Sequence, residues 1–210
     1  MSRYAKLAFA LIAAWFVVTL AASSLHLYKT GPDQPPLVFG LAALTPLVVF
    51  FAWFASSRNF RAFTRSLDPR ILTLIQSWRV GGFVFLVLAT YGILPNLFAQ
   101  PAGWGDMAIG ATAPLAALAL ANPRHRRSFV LWQILGMADL VTAIAMGTLA
   151  TVIHPRGVPA SAMTVLPLSL IPTFAVPLFF ILHILCIGHA MRWERQPAVR
   201  MVQPNRAPAL

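Results

Sequence analysis

The chain has 210 residues, 59% hydrophobic and 10% charged, with 16 Lys and Arg against 5 Asp and Glu. A soluble domain carries about a quarter charged residues, so the composition excludes an ordinary water-soluble domain and indicates a polytopic membrane protein. The net charge of +11 does not indicate a nucleic-acid partner, because the basic residues stand in short clusters between apolar runs of membrane-spanning length.

Six apolar segments follow one another, roughly 7–25, 37–55, 71–94, 103–121, 129–152 and 163–191. Each is near the ~20 residues that cross a ~30 Å hydrocarbon core as a helix. The runs are continuous rather than alternating, which selects helices over a barrel. The expected fold is therefore an all-α bundle of six transmembrane helices over residues 1–191, followed by a polar, disordered tail at 192–210. Arg3 and Lys6 precede the first segment and small residues Ala21–Ser24 follow it, as in a signal peptide. Its length and Trp15 favour a retained helix. Between the second and third segments, Arg58, Arg61 and Arg65 with Phe60 and Phe63 suit either an amphipathic turn on anionic lipid or a solvated basic loop. Asp68-Pro69 reads as an N-cap followed by proline at the first helical position, and Asn122-Pro123 ends the fourth segment. The one cysteine, Cys186, allows no intramolecular disulfide.

Charge sets the expected orientation. Arg3 and Lys6, the Arg58–Arg70 cluster, Arg124, Arg126 and Arg127, and the arginines from Arg192 onward all fall on one side. The other side holds only Lys29 and Arg156. By the positive-inside rule both termini are cytoplasmic.

Three ionisable groups lie within the apolar runs. Counting at 1.5 Å per residue from the nearest cytoplasmic edge, Arg79 lies ~14 Å deep, Asp139 ~16 Å and His183 ~14 Å. A charge at that depth costs roughly 2.5–3.5 kcal/mol even on lenient insertion scales, so such groups face the bundle interior and pair. Arg79 and Asp139 form the expected pair, with His183 as a third member and Gln76 one turn before Arg79. Trp132, Gly136, Asp139, Ala143 and Gly147 share one helical face, and Asp106, Gly110, Ala113, Ala117 and Ala121 share another. Small-residue faces of this kind allow close helix packing in lipid.

Asp106 counts to ~24 Å from the same edge, near the outer boundary. There it and Asn96 form a secondary candidate in a Pro- and Gly-rich loop, with Asp106 as a helix cap. Pro167, Pro172 and Pro177 interrupt the sixth segment; each removes a backbone bond and suits either a kink or a broken-helix site.

Gly103-Trp104-Gly105-Asp106 matches the GxGD pattern of intramembrane aspartyl proteases. Asp139, the second acid, follows rather than precedes it and counts ~8 Å away in depth, so protease chemistry ranks third, behind a polar binding site and a structural role. No second mid-membrane histidine is available for a bis-histidine haem, and no metal or nucleotide motif is present. No cofactor, metal or catalytic residue is assigned.

The strings IQSWRVGGFVFLVL, LPNLFAQPAGWGDMAIGATAPL, WQILGMADLVTAIAMG and LPLSLIPTFAVPLFFILH run from Ile75 to His183. They resemble a family of uncharacterised bacterial multi-pass inner-membrane proteins. The resemblance implies a helical bundle in the cytoplasmic membrane and supplies no activity. Two functions stand side by side: a polar interior site that binds or passes a small solute or proton, and a structural or accessory subunit held together by the same groups. The expected partners are the bilayer, with anionic lipid against Arg58, Arg61, Arg65, Arg124, Arg126 and Arg127, and a second copy or another membrane protein.

Overall fold

The structure, a computed structural model, describes residues 3–29, 37–153 and 160–193. The tail expectation falls almost wholly on 194–210, outside the described residues, as do the outer-side Arg156 and His154. Among the described residues the fold is helical without strands: α1 (Arg3–Ser24), α2 (Leu37–Ser56), α3 (Arg58–Arg65), α4 (Pro69–Ile75), α5 (Phe83–Thr90), α6 (Asn96–Leu115), α7 (Arg126–Ile153) and α8 (Val176–Ala190). A 3₁₀ stretch, Gln76–Gly82, joins α4 to α5 in one continuous span. Five segments are long and apolar enough to cross a membrane: Arg3–Ser24, Leu37–Ser56, Pro69–Thr90, Pro123–Ala150 and Ile171–Ala190.

The fourth expected span, 103–121, is helical but is not among those five. It begins seven residues earlier than expected, at Asn96, and takes in the polar Asn96, Gln100 and Asp106, which dilute its hydropathy. Pro95 occupies its N-cap position in extended backbone, so the stretch expected to loop is instead helical. Past Leu115 the chain continues as a π turn, Ala116–Leu120. In the last segment the helix begins later than expected. Residues Ala160–Thr164 are 3₁₀ and Ile171–Ala175 a π turn, and regular helix starts only at Val176. Pro167 and Pro172 account for this, since neither can donate the bond that an α-helix needs. Pro177 is tolerated in the first turn of α8.

Local signals explain the other boundaries. The Asp68 carboxylate accepts from the Arg70 N–H at 2.8 Å, with Pro69 at the first helical position. Gly92 adopts φ +67 just after α5, the left-handed conformation that ends helices. Asn122 caps the turn into α7, its side-chain oxygen accepting from the Arg124 and His125 N–H groups at 3.0 and 3.2 Å. Phe60, expected on the lipid side of an amphipathic turn, is buried, stacked on Trp53 at 3.9 Å. Arg61 in the same helix turns back to donate to the Phe54 and Ala55 carbonyls, both at 2.7 Å. It therefore caps the C-terminus of α2.

The packing centres on α6, which lies against the 3₁₀ stretch and α5 on one side and against α7 on another. The small-residue face from Gly110 through Ala113 and Ala117 to Ala121 is buried, as are Trp132 and Gly136 on the facing stripe of α7. By contrast α2 has no buried residue. Helix α1 is held by a polar strip: Ser23 and Ser169 share a buried hydrogen bond. Nearby, Trp15 Nε1 donates to the Thr173 carbonyl at 3.2 Å, the acceptor that Pro177, lacking an N–H, leaves open. Trp15→Phe should therefore lower stability by about 1 kcal/mol and loosen α1, read as a lower unfolding midpoint in detergent. An unchanged midpoint would show that the carbonyl needs no partner.

Candidate functional site

The 3₁₀ geometry of Gln76–Gly82 determines what the site contains. With three residues per turn, side chains at i and i+3 eclipse, so Gln76, Arg79 and Gly82 line up on one face. All three are buried. Trp78 and Phe83, off that face, are exposed. The glycines then let backbones approach. A Cβ on Gly82 would overlap the Asp106 Cβ, and one on Gly110 would overlap the backbone at Arg79–Val80. A Cβ on Gly105 would overlap the Asp139 carboxylate.

Arg79 is 3% exposed and spends its donors on four groups from three other elements. Its Nε donates to Asp106 Oδ1 at 2.7 Å, and its Nη2 to Asp139 Oδ2. Its Nη1 donates to the Gly136 carbonyl at 3.1 Å and bonds His183 Nε2 at 3.2 Å. Arginine has donors only, so His183 Nε2 must accept and its Nδ1 must carry the hydrogen. That hydrogen is donated to Gln133 Oε1 at 2.5 Å. Gln133 is oriented in turn, its Nε2 donating to Thr73 Oγ1 at 3.0 Å, while Thr73 donates to the Pro69 carbonyl at 2.7 Å. Every link in this chain has one consistent donor and one acceptor. His183 is thus held as an acceptor for Arg79, in a neutral tautomer.

The geometry brings Arg79, Asp139 and His183 together at one level. It adds Asp106, whose expected place near the outer boundary as a helix cap is corrected. Asp106 lies ten residues inside α6 and is an ion-pair partner of Arg79. Asn96 remains apart, exposed at the start of α6. Gln76 shares the buried face of Arg79, but its Nε2 donates to the Phe179 carbonyl at 3.2 Å and its buried Oε1 has no hydrogen-bond partner. Gln133 and Thr73, both fully buried, were not singled out from the sequence. The available signal was a glutamine inside an apolar run, three residues before Gly136 and so on the same side of α7.

The basic residues at the surface serve different ends. Arg58 and Arg65 are exposed on α3, Arg61 caps α2, and Arg124 and Arg127 are exposed around the start of α7. Arg126 Nη2 approaches Met191 Sδ at 3.4 Å. Among the described residues no cluster of three His, Cys, Asp or Glu side chains could hold a metal.

The two carboxylates approach neighbouring nitrogens of one guanidinium, so the depth separation between them is also corrected. The two acids that an aspartyl-protease pair would require are thus both bonded to Arg79. The glycines of Gly103-Trp104-Gly105-Asp106 serve packing: Gly103 meets Leu86 and Gly105 meets Asp139. In charge, the layer holds one fixed cation, two carboxylates and a neutral imidazole, which leaves one carboxylate in excess.

A family model described as a domain of unknown function (DUF8737) matches residues 35–190. The match is wider than the Ile75–His183 stretch that carries the resemblance. No curated protein and no solved structure matches the chain.

Proposed function

We propose that this chain, which belongs to the DUF8737 family, is a multi-pass protein of a bacterial cytoplasmic membrane that binds or passes a proton at the Arg79–Asp106–Asp139 layer. In this reading α6 is a sixth span whose exposed face, with Leu97, Trp104, Ala108 and Leu115, meets lipid, and the positive-inside asymmetry puts both termini in the cytoplasm. The observation that carries it is the excess carboxylate: among the described residues Arg79 alone faces both Asp106 and Asp139. An uncompensated charge in a low-dielectric interior is costly, and one proton on either carboxylate brings the layer to neutrality. The bonds to Arg79 use one oxygen of each carboxylate, and the two side chains are 16% and 13% exposed. One oxygen of each carboxylate is therefore left for a proton without Arg79 letting go.

The test is infrared titration of the protein in liposomes. The carboxylic-acid C=O band on acidification should be larger in the wild type than in Asp106→Asn and in Asp139→Asn, where the remaining band comes from the other acids of the chain. Each Asn variant leaves one carboxylate matched to one guanidinium, so each should also fold normally. A band of wild-type size in both variants, or no band in any protein, rules the proposal out.

A second function, a structural or accessory subunit, has its own support in the glycine interlock. Gly82, Gly105, Gly110 and Gly136 all sit where a Cβ would overlap a neighbour, as in a layer built to fix helix register. Here both Asn variants would leave every proton-dependent property of the protein unchanged.

A further inference from the structure

The basic end of the bundle has a second feature. His189 Nε2 donates to the Thr64 carbonyl at 3.0 Å, fastening the end of α8 to the end of α3. This brings Arg65, the residue after Thr64, together with Arg192, one turn beyond His189. The Arg192 Nε is turned back onto the Gly188 carbonyl at 2.9 Å, and Arg126 from the start of α7 reaches Met191 beside it. Arg65 thus neighbours Arg192, and Arg126 reaches the residue before it. Among the described residues the only acids are Asp68, Asp106 and Asp139. The first caps α4 and the other two are bonded to Arg79, so none neutralises this cluster. Burial, and then the positive charge of the neighbouring Arg65, hold Arg192 below the ordinary arginine pKa. Beside it Trp193 packs on the buried Phe129 at 5.3 Å, and tryptophan is enriched where a bundle meets the headgroup layer.

We propose that Arg65, Arg126 and Arg192 form a site for the phosphate of an anionic phospholipid headgroup, where the ends of α3 and α8 meet the start of α7. Arginine suits the role because its planar donor fork matches phosphate oxygens. The occupant is lipid rather than a free anion because the cluster lies at the ends of apolar, membrane-length segments. The site rests on the membrane placement proposed above and is independent of the proton chemistry. A headgroup bridging these arginines would also tie the short α3 to the last helix from outside.

The experiment is thermal unfolding of the purified full chain in an uncharged detergent, with added phosphatidylglycerol or phosphatidylcholine. Phosphatidylglycerol should raise the midpoint more than phosphatidylcholine does. Arg65→Gln/Arg192→Gln should lose most of that difference, while Arg124→Gln/Arg127→Gln, which removes equal charge from exposed positions nearby, should keep it. Equal shifts from the two lipids overturn the proposal. So does equal loss in the two double variants, or a matching shift from inorganic phosphate alone. If the Arg65/Arg192 variant does not fold, Arg65→Gln is read by native mass spectrometry, where undiminished retention of phosphatidylglycerol also overturns it. Membrane placement is checked separately, by whether the wild type resists carbonate extraction.

Discussion

Arg79→Gln should cost about 3–5 kcal/mol of stability, the range for removing one partner of a buried ion pair. The loss exceeds that of a single hydrogen bond because two carboxylates, Asp106 and Asp139, depend on this one guanidinium. Gln offers two N–H donors in place of five and no charge. Removing the charges on the other side should reverse most of the effect: Arg79→Gln/Asp106→Asn/Asp139→Asn leaves no unpaired charge and should recover much of the lost stability. Arg79→Lys keeps the charge but not the planar fork, and should fall between Gln and wild type. The measurement is reversible unfolding in mixed micelles. A cost below about 1 kcal/mol for Arg79→Gln, the size of an ordinary hydrogen bond, would show that the carboxylates are neutral without the arginine.

The second large effect is expected at Gly136. A Cβ there would run into the His183 ring. The ring cannot swing aside, because Nδ1 is bonded to Gln133 and Nε2 to Arg79. Gly136→Ala should therefore cost about 1–3 kcal/mol through overpacking, despite the gain in helix propensity that alanine ordinarily brings. Gly81→Ala is the matched control, since a Cβ at Gly81 meets nothing within 4 Å, and it should be neutral or stabilising. Both are read as unfolding midpoints of the purified protein. Equal shifts at Gly81 and Gly136 would mean that the overlap with His183 relaxes without cost.

Residue types and spacing made much of this arrangement legible in the sequence. Charges inside apolar runs have to face inward, and counting helical rise from the basic clusters brought Arg79, Asp139 and His183 to one level. The same count misplaced Asp106, for three physical reasons. The Arg79 stretch is 3₁₀, rising about 2.0 Å per residue rather than 1.5 Å. The far end of α6 passes through the wider π turn at Ala116–Leu120. An arginine side chain also reaches well beyond its own Cα level. Asp106 was further disguised by its neighbours, because prolines and glycines around it read as a loop. Here Pro95 takes the N-cap position, Pro101 lies inside α6, and Gly103 and Gly105 permit contact with Leu86 and Asp139. Gln133 carried a weaker signal, since a single uncharged polar residue in an apolar run satisfies many environments. Only the direction of its two hydrogen bonds reveals what it does to His183.

The 3₁₀ stretch at Gln76–Gly82 also has a mechanical side. A 3₁₀ turn is a helix drawn out along its axis. Were these seven residues to rewind into α geometry, the span would shorten by about 3.5 Å, and everything above it would turn as on a screw thread. Arg79 lies in the middle of that thread and is bonded to α6 and α7. Any change in the length of this helix would therefore have to carry the charged layer with it, through that single side chain.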